Sequence, residues 1–73
     1  MLDFNAPNGY KVRCYEGDTI YVSHPCDDRI VAVYTPRHGD TVYPDLYLIM
    51  VEGREALAYG KQYLKDRKPI QQD

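Results

Sequence analysis

The sequence predicts a small α+β domain in which a three-stranded antiparallel sheet is packed by one long C-terminal helix, in the order β-β-β-α. Three observations predict it. Through the first half of the chain apolar residues alternate with polar ones in short segments, the period of half-buried strands. Over residues 43–68 the period changes: Leu46, Met50, Gly53, Leu57, Gly60 and Leu64 recur at alternating steps of four and three, which places them on one helical face. The length of 73 residues fits a single domain, residues 1–73, with one sheet layer and one helix layer. It leaves no room for a second domain or an enclosed substrate cavity of ordinary size.

Taken in order, residues 1–9 read as an irregular arm that ends in the turn signal Pro7-Asn8-Gly9, with Leu2 and Phe4 free to tuck against a sheet edge. Residues 10–15 form the first strand, with Tyr10, Val12 and Cys14 on one face and Lys11, Arg13 and Tyr15 on the other. Glu16-Gly17-Asp18 is a tight connection. Residues 19–24 follow as the second strand, Ile20 and Val22 alternating with Thr19, Tyr21 and Ser23, so a hairpin pairing is expected. Residues 25–28 are too rich in proline and aspartate to extend it and make a turn. Residues 29–35 carry a nearly continuous β-branched run and are expected to be the central strand. Residues 36–41 read as a loop.

The helix start is predicted from Pro44 at the first helical position and Asp45 beside it, where a missing N–H costs nothing and a negative charge meets the helix dipole. Lys61, Lys65, Arg67 and Lys68 suit the carbonyl end, Pro69 stops the helix, and residues 70–73 form a frayed tail. A competing division makes residues 46–51 a strand and 54–67 a shorter helix, because the first run is apolar without alternation. The single helix is preferred since the four-three pattern passes through both glycines without slipping. Its first half is then apolar on nearly every side. Tyr47, Leu48 and Val51, lying off the seam, make a homodimer through this helix one expectation.

A formal charge of −2 and a hydrophobic share of 44% describe an ordered, mildly acidic chain. Glu52 ends the longest apolar run, and the first residues hold neither a basic region nor an apolar signal core. A soluble, cytoplasmic protein with no membrane partner is expected. The oddity is eight tyrosines against one phenylalanine and no tryptophan. Some must stand in for core aromatics, and others suit a binding face, because tyrosine joins apolar area to a polar tip.

Candidate chemistry is sparse. Cys14, His24, Cys26 and His38 total four, the ligand count of a structural zinc site, but they lack a close Cys-x2-4-Cys pair. Two free thiols, Cys14 buried and Cys26 in a turn, are expected in a reducing compartment, rather than a disulfide. Ser23 is the only serine, and its neighbour His24 would point to the opposite face of a strand. Glu52 and Glu55 suit a solvated helix face, and Asp27 and Asp28 a turn. Gly60-Lys61 lacks the rest of a phosphate loop. Neither an enzyme nor a cofactor or metal protein is expected.

What remains is a small non-enzymatic protein-binding module, an inhibitor or accessory factor of a larger protein machine; phage-encoded inhibitors of host machinery are the class analogy. Arg13, Tyr15 and Tyr21 are the candidate anchors, since interfaces concentrate energy in tyrosine and arginine. The alternative is nucleic-acid binding by the basic aromatic end of the helix, Tyr59, Lys61, Tyr63 and Lys65. Eleven carboxylates and the net negative charge weigh against it. The residues carry no resemblance to a family.

Overall fold

Pro7, Asn8 and Gly9 close a hairpin. In the computed structural model, whose described residues are 2–67, the Ala6 amide donates to the Tyr10 carbonyl and the Gly9 amide to the Ala6 carbonyl. Gly9 sits at φ 92°, where the absence of Cβ removes the steric cost. This turn folds the expected arm back as a strand, β1 (Leu2–Asn5), antiparallel to β2 (Lys11–Tyr15), with Phe4 opposite Val12. A second tight turn, with Gly17 at φ 80° and Asp18 at φ 64°, leads to β3 (Thr19–Ser23). β4 (Ile30–Thr35) follows the predicted turn. The expected loop after it contains a strand, β5 (Gly39–Val42), which starts where Gly39 at φ 78° closes against Thr35.

The sheet therefore has five strands, not three, in the order β1-β2-β3-β4-β5, each antiparallel to its sequence neighbour. β3 occupies the middle, the place expected for residues 29–35. The run of apolar residues in β4 has another cause. Ser23 pairs with Ile30 and Val22 with Ala32, which leaves Val31 as the extra residue of a β-bulge. Val31 and Ala32, although consecutive, are 2% and 0% exposed and both lie beneath Gly53 of the helix.

One helix, α1 (Tyr47–Arg67), crosses the sheet over β2, β3 and β4. The competing strand at residues 46–51 is not formed. Helical backbone begins at Tyr47 rather than Pro44; Pro44 lies in a bend, the Leu46 amide donates to the Asp45 carboxylate at 2.8 Å, and the Leu46 carbonyl accepts the Met50 amide at 3.0 Å. The expected stop at Pro69 and the tail at 70–73 lie outside the described residues.

The glycine seam faces the sheet. A Cβ on Gly60 would stand 2.9 Å from Val12 Cγ1 and 3.3 Å from Ile20 Cγ2, and one on Gly53 would stand 3.1 Å from Val31 Cγ2. Bare backbone there lets the helix settle onto three strands at once. Ala56 and Leu57 complete the docking, both fully buried. Leu46, expected on the same seam, is 71% exposed. Having no helical backbone of its own, it is not held in phase with the residues behind it.

Tyr10 shows how the core takes up tyrosine. Its ring is buried, and its hydroxyl donates to Glu52 Oε1 at 3.0 Å, while Asn8 Nδ2 donates to the Glu52 carbonyl at 2.9 Å. Burial and then the Glu52 carboxylate push the phenol up to about 12. Ser23 departs from its expected solvent-facing position. It is fully buried, beside the bulge and opposite Lys11, and its hydroxyl has no hydrogen-bond partner among the described residues. Among the described residues no helix is long and apolar enough to cross a membrane.

Candidate protein interface on the open sheet face

With α1 on one side, no second helix or sheet among the described residues covers the other, and strand register decides which side chains stand on it. Asp3 pairs with Arg13, Arg13 with Tyr21, Tyr21 with Val33 and Val33 with Thr41, so these five form one row across all strands. Tyr15, two residues after Arg13 on β2, stands on the same face. Its ring meets Tyr21 edge-on, with centroids 5.2 Å apart at 78°, an orientation that aromatic quadrupoles favour. The three anchors expected from sequence thus form one contiguous group.

The charge beside them is mixed. Arg13 Nη2 lies 3.5 Å from Asp28 Oδ2, and Lys11 Nζ lies 3.8 Å from Asp28 Oδ1. Asp28 comes from the β3–β4 turn, where the His24 amide donates to the Arg29 carbonyl and the Asp28 amide to the His24 carbonyl. Exposed pairs at such distances contribute about 1 kcal/mol at most, so a partner carboxylate can compete for Arg13.

The alternative set on the helix is divided. Phe4 of β1 packs on Tyr59 and Tyr63, with centroids 5.9 and 4.3 Å away. Lys61 belongs to the other flank, where Nζ lies 2.8 Å from Asp40 Oδ1 and 5.0 Å from the centre of the Tyr34 ring. There Lys61 and Lys65 share a shallow cleft with Asp18, Tyr34 and Leu64. Residues two apart on a helix do not face the same way, so interleaving in sequence separates the bases from the aromatics in space.

The four metal-type residues are also dispersed. Cys14 is buried on the helix side of β2, and burial, with Asp18 and Asp3 nearby, pushes its thiol up. Cys26 is exposed in the β3–β4 turn, its amide donating to His24 Nδ1 at 3.1 Å. His38 lies in the turn at the opposite end of β4, and a strand of that length spans roughly 20 Å. Both thiols are free. Among the described residues no three His, Cys, Asp or Glu side chains come together in a group that could hold a metal ion.

A second surface was only partly legible. Leu46, Tyr47 and Leu48 are 71%, 82% and 63% exposed, and Ile30 and Tyr43 join them as exposed apolar residues. The Tyr43 amide donates to the Val31 carbonyl and Arg29 bonds Asp45, which draws the start of β4, the exit from β5 and the entry to α1 into one end of the molecule. Tyr47 and Leu48 stood out through their place off the seam; Ile30, Tyr43 and Leu46 gave no such signal.

Comparison with protein-family models, with curated proteins and with solved structures gives no match.

Proposed function

We propose that this protein is a non-enzymatic protein-binding module whose binding face is the open side of the sheet, anchored by Arg13, Tyr15 and Tyr21. The observation that carries this reading is register: Arg13 and Tyr21 are direct cross-strand partners, and Tyr15 is stacked edge-on against Tyr21. Anchors already fixed by a rigid sheet lose little side-chain entropy on binding. Tyrosine supplies apolar area, Arg13 supplies a planar donor, and Lys11, Asp3 and Asp28 give a polar rim of both signs. A partner larger than this domain, met as an accessory or inhibitory factor, suits anchors that stand in a row across the strands, beside a shallow cleft lined by Asp3, Lys11 and Arg13.

The test is affinity capture from the native cell with the intact chain, repeated after nuclease treatment and with Arg13, Tyr15 and Tyr21 all replaced by alanine. One stoichiometric protein retained through nuclease and released by the triple variant is expected, each anchor contributing about 1 kcal/mol or more. Full affinity in a folded triple variant overturns the site. Recovery of nuclease-sensitive material alone overturns the function in favour of nucleic-acid binding.

A further inference from the structure

The other end of the molecule carries a different kind of surface. Ile30, Tyr43, Leu46, Tyr47 and Leu48 hold no charged side chain among them, yet all are exposed. Aromatic side chains present about 150–250 Å² each, so the exposed parts of these five amount to on the order of 600 Å². Monomers rarely leave more than a few hundred contiguous Å² of apolar surface open.

We infer that this apolar end is a self-association face, on which the first turns of α1 from two copies of this chain pack against each other around a twofold axis. Area supports a second copy as the occupant. Doubling the patch across a twofold gives about 1,200 Å² buried in total, the lower limit for a specific, stable interface. Charge supports it as well. Arg29 is already held by Asp27 at 2.7 Å and by Asp45 at 2.6 Å, so this guanidinium is not left open to select an acidic foreign partner. A twofold contact needs only a patch that fits itself, and uncharged apolar patches with tyrosine do so without like-charge repulsion. Helix spacing supplies the geometry: Tyr47, Leu48 and Val51 share the side of α1 turned away from the glycine seam. An antiparallel crossing at Val51 sets Tyr47 of one copy level with Arg54 and Glu55 of the other, and both of these are exposed. Arg54 can then stack on the tyrosine ring.

This inference is separable from the function proposed above, because Tyr47 and Leu48 of α1 lie across the sheet from Arg13, Tyr15 and Tyr21, and of the patch only Ile30, paired with Ser23 opposite Lys11, shares their face. A dimer leaves both open faces available and carries two of them.

Sedimentation equilibrium on the intact chain, from low to high micromolar concentration, tests it. The expected result is a mass that doubles with concentration, and a dissociation constant raised at least about a hundredfold in the Tyr47→Lys/Leu48→Lys variant. Where circular dichroism shows that double variant unfolded, Leu48→Gln takes its place, with about a tenfold rise expected. Tyr15→Ala/Tyr21→Ala leaves the dimer unchanged. A single-chain mass at high micromolar concentration overturns the proposal, as does a dimer that forms with unaltered affinity in a folded Leu48 variant.

Discussion

The two ends of α1 obey different rules although both are apolar. From Gly53 to Leu57 and Gly60 the helix lies on the sheet with backbone close to Val12, Ile20 and Val31, and Leu57 is fully buried. Around Leu46 to Leu48 larger side chains stand in solvent. Hydrophobic periodicity alone does not tell these ends apart, because Leu46 fits the same four-three pattern as Leu57. What separates them is that Leu46 precedes the helical backbone and Tyr47 and Leu48 lie off the seam, whereas Gly53 and Gly60 bring the backbone of the later turns onto the sheet.

The sharpest way to break this comparison is at Leu57 and Gly60. Leu57→Ala leaves a cavity and Gly60→Leu overfills a site where even a Cβ is 2.9 Å from Val12, and each should cost about 3 kcal/mol. A domain of this size has only about 3–5 kcal/mol from its core, so both variants should lower the urea midpoint severely. A Gly60→Leu midpoint at or above the parent's would show that the seam is open to water.

A smaller effect sharpens the boundary between the two ends, where Glu52 holds Tyr10. Tyr10→Phe removes that donor and should cost about 1 kcal/mol at neutral pH. The sign with pH follows from the raised phenol. The folded state holds the proton more tightly, so this contribution is intact below about pH 10 and is lost as pH rises towards 12. Chemical denaturation across that window should show a steeper fall for the parent than for Tyr10→Phe; parallel falls would remove Tyr10 as the cause.

The smallest effect belongs to the free end. Leu46→Ala, measured in dilute solution where the chain is monomeric, should change stability by less than about 0.5 kcal/mol. A loss comparable with that of Leu57→Ala would mean that the first turn is docked after all.

How much could be read beforehand differs by element for physical reasons. The faces of β2 followed from alternation, and the tight turn after it fixed the register with β3, which is why Arg13, Tyr15 and Tyr21 could be placed together. β1 escaped because Leu2-Asp3-Phe4-Asn5 has only two apolar residues and two poor strand formers, although the turn after it was recognised. β5 begins with Gly39 and Asp40, which read as loop residues, and becomes a strand because β4 offers it a partner. Pro44 misplaced the helix start by resembling a first-turn proline while serving a bend. Alternation set Ser23 on the face of Lys11, where it stands, but says nothing of its burial there. For the helix set, one period sets the arrangement: Tyr59 and Tyr63 are four apart and share a flank, whereas Lys61 lies between them in sequence and opposite them in space.

The order of the strands has a consequence for how the chain comes together. Every strand pairs only with its neighbour in sequence, through connections of a few residues, so the sheet assembles from successive hairpins with little loop-closure entropy to overcome. The helix that covers it comes last. All five strands precede α1 in sequence, and residues 53–60 cover the face formed by Val12, Ile20 and Val31. Whenever the sheet forms ahead of helix docking, that face is an open apolar surface, and its protection is the docking of two glycines.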